Sequence, residues 1–480
     1  MSLFFKPEHA RVGDIIPFYD NGAFHLFYLK NWGDYDGPDR KPGWHRLTTT
    51  DNLTMTGDAA TGIRGGTGCV VKVDDTCHLF YCVFRDNPQR QYVCHAVSDD
   101  MERWRDLPED TFGPDESIYL PTDWRDPHVL WCEEEQCWWM LLCAQSRGRT
   151  LRRGCVGLCK SKDLRRWTCC EPLYNPHSAL SGYECPDMFE MNGWWYLVFS
   201  QYTDGFHTAY RMSRSPRGPW IRSKIDTFDS RAFYAAKTAS DGKHRYIYGW
   251  NPTRETDEYG FNPKRYNGSD CNTWDWGGCM VVHELWQAGD GALYVRPIQA
   301  LQDAVNRPVP MKQEPLTGEW QATHAGWRVE APYGYAAMLA GEMPEPCRLS
   351  VDIILTHPTA RFGIALRVDE DFAEGYYIIV DLFHGRLEFQ SPVRMTERGG
   401  KMFPYEVELE RPLPPNDGTH FHMDVIAEGT VLEVYLNGSA ALSARMYDRT
   451  GGNLGFFLSE GGACFEAIQV MSRREITKKQ

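Results

Sequence analysis

Apolar and polar positions along the chain alternate in short runs, and five of these runs share one plan: a small or acidic start, an apolar strand, a tight polar turn and an aromatic-rich strand. They are GDIIPFYDNGAFHLFYL (13 to 29), GGTGCVVKVDDTCHLFYCVF (65 to 84), RDPHVLWCEEEQCWWMLLCA (125 to 144), ECPDMFEMNGWWYLVFS (184 to 200) and FYAAKTASDGKHRYIYGW (233 to 250). The turns DNG, MNG and SDG supply residues that tolerate positive φ between β-formers, so each run reads as a hairpin. Successive starts lie roughly 50 to 60 residues apart, room for about four short strands. Further strand signals fill the gaps, among them QYVCHAVSDD, GCVGLCKSKDLRRW and HTAYRMSRSPRGPW. Helical periodicity of convincing length is absent up to about residue 300, which disfavours an α/β barrel. The pattern predicts an all-β chain whose residues 1–300 form a five-bladed β-propeller.

Beyond residue 300 the pattern changes. ALQDAVNRPVP reads as a short helical start to a connector over 301–324, and alternating strands from CRLSVDIILTH onward predict a C-terminal β-sandwich over 325–476. The last residues, RREITKKQ, read as a solvated tail.

Length agrees with more than one folding unit, since 480 residues exceed what one hydrophobic core serves. The 17 Trp, 24 Tyr and 23 Phe favour β structure and flat, ligand-binding surfaces, the first hint of a sugar. A formal charge of −14 argues against a phosphate-backbone footprint, so nucleic acid is not an expected partner. No apolar run is long enough to span a bilayer and the start MSLFFKPEHA lacks the features of a secretory signal, so a cytoplasmic protein without a membrane partner is expected. Sixteen cysteines are scattered through apolar strand-like runs, which reads as buried reduced thiols. Neither the Cys155/Cys159 pair nor Cys169/Cys170 has finger-spaced partners, and neither a metal nor a cofactor is expected. Nothing in the pattern fixes an oligomeric state.

In a propeller the first strand of each blade lines the central channel, so corresponding starts meet although remote in sequence. With the five hairpins in register, Asp14, Asp126 and Glu184 stand at the starts of blades one, three and four; blade two offers Gly66–Gly68 and blade five Tyr234 and Ala235. Any one of these acids alone reads as a strand cap. Three in register would raise one another's pKa, a cost that stability gives no reason to incur, and paired carboxylates across a sugar site are the equipment of glycoside hydrolysis.

WRDP (124 to 127), ECPD (184 to 187), FYAAKT (233 to 238) and YGW (248 to 250) resemble glycoside hydrolase family 32, the invertases, levanases and inulinases, whose members have a five-bladed propeller followed by a β-sandwich. The resemblance implies that Glu184 is the general acid/base, that Asp126, with Arg125 beside it, stabilises the transition state, and that Asp14 is the nucleophile of a retaining reaction. Crowding by two ionised Asp residues is expected to raise the Glu184 pKa. The implied activity is release of terminal β-fructofuranosyl units from sucrose, phosphorylated sucrose or short fructo-oligosaccharides. The chain departs from the family at the nucleophile: RVGDIIPFYDNG stands where WMNDPNG is usual, with Asp14 displaced by one residue. Leu29 replaces the usual Gln, and Thr67 the usual Ser. Trp32, Trp44, Thr67, Arg125, Tyr234 and Trp250 are the expected substrate contacts, with core packing the competing role for each Trp. His45 reads equally as a hydrogen-bonded structural residue. Asp187 is expected to orient Arg125 or backbone amides, and Cys185 to displace water beside Glu184. Two rival readings stand: an inverting arabinofuranosidase or xylosidase on the same propeller, and a non-catalytic carbohydrate-binding propeller.

Overall fold

The computed structural model describes the chain except residues 1, 9, 32–42, 204, 255–273, 392–406, 448 and 474–480. The regular structure of its described residues is almost wholly β, with one short α-helix at Gln299–Ala304, around the start of the expected connector. The chain divides into two compact units. One comprises Phe5–Thr227 and Phe233–Leu293; the other comprises Met1–Phe4, Phe228–Ala232 and Tyr294–Gln480.

The first unit is built from the predicted hairpins, and local chemistry explains their turns. Asp20 pairs with Ala23 across Asn21 and Gly22, and Met191 pairs with Trp194 across Asn192 and Gly193. All four turn residues have positive φ, between 49° and 81°, the conformation that a two-residue hairpin matching strand twist demands. Each hairpin grows by antiparallel addition into its own group. The strands Gly66–Val73, Thr76–Asp86, Gln89–Ser98 and Arg105–Asp106 form one group, and Tyr119–Cys132, Cys137–Ser146, Gly154–Ser161 and Thr168–Tyr174 another. Glu184–Met191, Trp194–Gln201 and His207–Ser213 form a three-stranded group. The groups opened by Arg11–Asp20 and by Tyr234–Ser240 are joined at one bridge, Val12 to Gly278.

Hydrophobic clusters run between consecutive groups. Phe27, Trp44 and Leu79 share one, Phe80, Trp124 and Met140 the next, and Leu141, Leu197 and Phe199 a third. The first strands of the five groups neighbour one another in cyclic order, the strand Tyr234–Ser240 lying against Arg11–Asp20. The N-terminal segment runs beside the last strand, where the Met280 N–H donates to the Phe5 carbonyl (2.9 Å). These contacts put five strands remote in sequence side by side.

In the second unit the described residues form one sheet of thirteen strands, nine of them in a continuous ladder with the long strand Asn453–Ser472 near its middle. Arg361–Val368 pairs with the first part of that strand and Cys347–His357 with the rest. Three strand steps, about 14 Å on a flat sheet, separate Arg361–Val368 from His420–Glu428. Yet the buried rings of Phe362 and Phe421 lie 5.0 Å apart, so the ladder folds over on itself around a core. The strands Glu314–Thr317 and Glu319–Ala322 pair with Gly326–Glu342. The unit's sheet therefore takes in residues that the sequence pattern left to a connector, because those short exposed strands carry no alternation of their own.

Candidate active site

Every one of the five first strands breaks its register, near its start in four of them and midway along Tyr119–Cys132 in the other. The irregularity lies between Val12 and Ile15, Gly66 and Gly68, Arg125 and His128, Glu184 and Asp187, and Tyr234 and Lys237. A β-bulge re-aims the side chains it contains. In three groups its first residue is Asp126, Cys185 or Ala235, each in the left-handed region at φ 56°, 49° and 53°. Strain of this kind in non-glycine residues gathers at functional sites.

The bulges correct the expectation of a single register for the acids. Asp126 opens its bulge, Glu184 is the last paired residue before its own, and Asp14 is the second residue of the first. The side chains nevertheless converge. Asp14, Asp126 and Glu184 line one cavity of about 490 Å³, with Thr67, Arg125 and Tyr234 on its wall.

Each acid is held differently. Asp14 accepts from the Trp250 indole N–H at Oδ1 (2.9 Å) and from the Thr67 hydroxyl at Oδ2. Burial first, then the charge of Asp126, pushes its pKa up to about 7 against the opposing pull of those two hydrogen bonds. Glu184 accepts from Arg125 Nη2 at Oε1 (2.9 Å) and from the Tyr234 hydroxyl at Oε2 (2.6 Å). Burial raises its pKa, with Asp126 adding to the rise and Arg125 and Tyr234 opposing it. Asp126 Oδ2 accepts from the Cys185 backbone N–H (3.0 Å). Arg125 is fixed in turn by Asp123, which also accepts from the Gly182 N–H (2.8 Å) and from Gln145 (2.9 Å).

The other expected contacts fall into place unevenly. Trp250 is 1% exposed and lies behind the cavity wall, bonded to Asp14 and packed against the Tyr234 and Trp276 rings. Trp44 does not reach it: the ring is buried beside Phe27 and its N–H donates to the Gly66 carbonyl (3.2 Å), so it braces the Gly66–Thr67 wall from behind. Trp32 lies outside the described residues. His45 is tied to Asp58 (3.0 Å). Asp187 accepts from the Thr238 N–H (2.7 Å), the backbone-amide role expected of it, and lies beside His128 rather than Arg125. The Cys185 thiol stands not at the shoulder of Glu184 but between the two aspartates, 3.9 Å from Asp14 Oδ2 and 3.8 Å from Asp126 Oδ2. Burial and those two carboxylates push its pKa well up, so it stays a neutral thiol.

Lys30, Gln91, Phe84, Tyr202 and Trp276, none of them among the expected contacts, also stand on the cavity wall. Two glycines explain the last of these and Phe84. A Cβ on Gly13 would lie 2.1 Å from the Trp276 ring, and one on Gly66 2.9 Å from the Phe84 ring, so each aromatic side chain rests directly on a bare backbone next to Asp14 or Thr67. Gly13 and Gly66, read together with the half-exposed rings, are the signal that was available in the chain.

Comparison with known proteins bears on the fold and the family. The Glycosyl hydrolases family 32 N-terminal domain matches residues 5–297. The chain is 22% identical over 340 residues to a sucrose-6-phosphate hydrolase of Escherichia coli, an alignment covering 67% of this chain and 61% of that protein. It is 20% identical to a levanbiose-producing levanase of Bacillus subtilis (strain 168), covering 95% of this chain and 87% of that one. Among solved structures, an exo-inulinase from Aspergillus awamori superposes with a TM-score of 0.71 at 17% identity, covering 98% of both chains. Fructan 1-exohydrolase IIa from Cichorium intybus, in complex with 1-kestose, superposes at 0.73 and 14%, over 98% of this chain and 97% of that one. These likenesses establish the fold, and the class it defines with the acid-lined cavity is that of the glycoside hydrolases. The chain belongs to glycosyl hydrolases family 32. An inverting pentosidase and a non-catalytic binding propeller are not favoured by these matches.

Proposed function

We propose that this protein is a retaining hydrolase that releases terminal β-fructofuranosyl units from sucrose, phosphorylated sucrose or a short fructo-oligosaccharide. Its first unit would act as a five-bladed propeller and its second as a β-sandwich. The single observation carrying this reading is the convergence of Asp14, Asp126 and Glu184 on one cavity from three remote strands. The family match and the names of the relatives, which act on sucrose 6-phosphate, levan and inulin, support the choice of fructosides.

In this reading Asp14 attacks the anomeric carbon while Glu184 protonates the leaving oxygen, giving a fructosyl ester on Asp14 and a free leaving group. Glu184, now a carboxylate, takes a proton from water as that water attacks the ester, which restores Asp14 and retains the configuration. The two donors on Asp14 hold its carboxylate in the attacking orientation. Asp126 accepts from fructosyl hydroxyls as positive charge grows on the ring. Tyr234 and Arg125 fix the carboxyl of Glu184 from both sides, and the raised pKa favours its arriving protonated.

The fifteen described cysteines are free thiols, mostly buried, which supports a reducing compartment such as the cytoplasm. No helix among the described residues is long and apolar enough to cross a membrane.

The test is a panel of sucrose, sucrose 6-phosphate and 1-kestose with purified protein, scored for free fructose, alongside Glu184→Gln. The proposal expects fructose release that falls by about 10² to 10⁴-fold in the variant. Binding of the same sugars without release by the unaltered protein would overturn it.

A further inference from the structure

Directly after the five bulges the first paired residues are Ile15, Gly68, His128, Asp187 and Lys237. Three of these five inward positions carry ionisable groups that the proposed chemistry does not use. His128 and Asp187 are neighbours, with Nε2 3.4 Å from Oδ1, and the other oxygen of Asp187 is occupied by the Thr238 N–H. Lys237 is different. Its side chain is 2% exposed, and its hydrogen bond among the described residues goes to the Pro186 carbonyl (3.0 Å). An ammonium offers three donors, and burying one with so little compensation is costly, so packing alone gives no reason to keep it there.

The bond's address supplies the reason. Pro186 is the second residue of the bulge whose first is Cys185 and whose preceding residue is Glu184. The Cys185 N–H is the donor to Asp126 Oδ2, so the two bulge residues that link Glu184 to the Pro186 carbonyl also carry a contact of the neighbouring carboxylate. Pro186 has no N–H of its own with which to tie the bulge to the partner strand. Lys237, one strand over, ties it by its carbonyl instead.

We infer that Lys237 is a positioning residue for the reaction, its ammonium clamping the Cys185–Pro186 bulge so that Glu184 and Asp126 keep their spacing. This rests on the hydrolase reading above. A clamp acts on the geometry of the reacting groups, and displacement of order 1 Å costs about 10²-fold in rate.

Two variants and two readouts test it. Lys237→Met removes charge and donor; Lys237→Gln removes the charge and keeps an N–H for the Pro186 carbonyl. Replacing a buried ion by an apolar chain of similar length does not unfold a protein by itself, and thermal melting checks this. The expected result is a kcat on the best fructoside lowered about 10²-fold in Lys237→Met with KM within about two-fold, substantially restored in Lys237→Gln. The second readout does not depend on activity: hydrogen exchange of the Cys185 amide should speed up in Lys237→Met and return toward the parent rate in Lys237→Gln. Unchanged Cys185 exchange in a folded Lys237→Met protein overturns the clamp. Unchanged kcat in that variant overturns it equally. Failure of the parent protein to release fructose strikes the hydrolase reading, while the exchange rates still decide the role of Lys237.

Discussion

Replacing Trp250 by Phe removes the hydrogen bond from the indole N–H to Asp14 Oδ1 (2.9 Å) while keeping most of a buried aromatic ring. The bond favours the ionised form of Asp14, whose pKa already stands at about 7 because burial and the charge of Asp126 outweigh its two donors. A hydrogen bond to a charged group contributes about 1.5 to 3 kcal/mol, and each pKa unit corresponds to about 1.4 kcal/mol, so its loss moves Asp14 up by about one to two units. A nucleophile must be ionised, and kcat/KM therefore rises with pH through this pKa. With a shift from about 7 to about 8, the ionised fraction at pH 6 falls about tenfold, whereas at pH 9 it hardly changes. The assay is a pH profile of kcat/KM for fructose release by the parent and Trp250→Phe, with circular dichroism to confirm the fold. An acid limb that stays in place, with activity lower by the same factor at every pH, would refute this role of the indole N–H. Trp250 would then act through packing, not through the ionisation of Asp14.

The same pKa makes a statement about stability. Its folded value lies above the ordinary 3.8, so the folded state binds the extra proton between about pH 4 and 7, and stability is lost as pH rises through that window. Asp14→Asn removes the cost: the variant should be inactive yet more stable at pH 8 by between about 1 and 4 kcal/mol, with little difference at pH 4, in urea titrations at the two pH values. Gly13→Ala puts a Cβ 2.1 Å from the Trp276 ring and must move it. The expected result is a KM for 1-kestose raised by a larger factor than that for a fructoside with a small leaving group, since the ring forms part of the cavity wall; equal changes for both substrates would contradict that placement.

The hairpins were legible because their turns rest on local chemistry: Asn21–Gly22 and Asn192–Gly193 occupy conformations that few other residue pairs accept. Asp14 and Glu184 were legible as acids near strand starts, whereas Asp126 lies midway along Tyr119–Cys132, whose first residues carry no alternation that marks them as strand. Their mutual placement was not, because a bulge adds a residue that strand alternation alone does not reveal, and Asp126 lies within its bulge while Glu184 precedes its own. The same irregularity sends Cys185 between the aspartates. Trp44 was misplaced because whether a ring faces a cavity or the next sheet depends on packing between groups remote in sequence, here against Phe27 and the Gly66 carbonyl. The boundary between the units lies at Leu293/Tyr294, a few residues before the composition changes, and Phe228–Ala232 belongs to the second unit without any signal in its own five residues.

In the proposed mechanism Asp14 carries the sugar during the reaction. Glu184→Gln, given an activated aryl β-fructofuranoside whose departure needs no proton, should accumulate the fructosyl ester, because no base remains to draw a proton from the attacking water. Rapid acid quench, proteolysis and mass spectrometry should then find one fructosyl unit on the peptide containing Asp14. A fructosyl unit on any other carboxylate, or turnover of the aryl fructoside with inversion and no labelled peptide, would contradict the account.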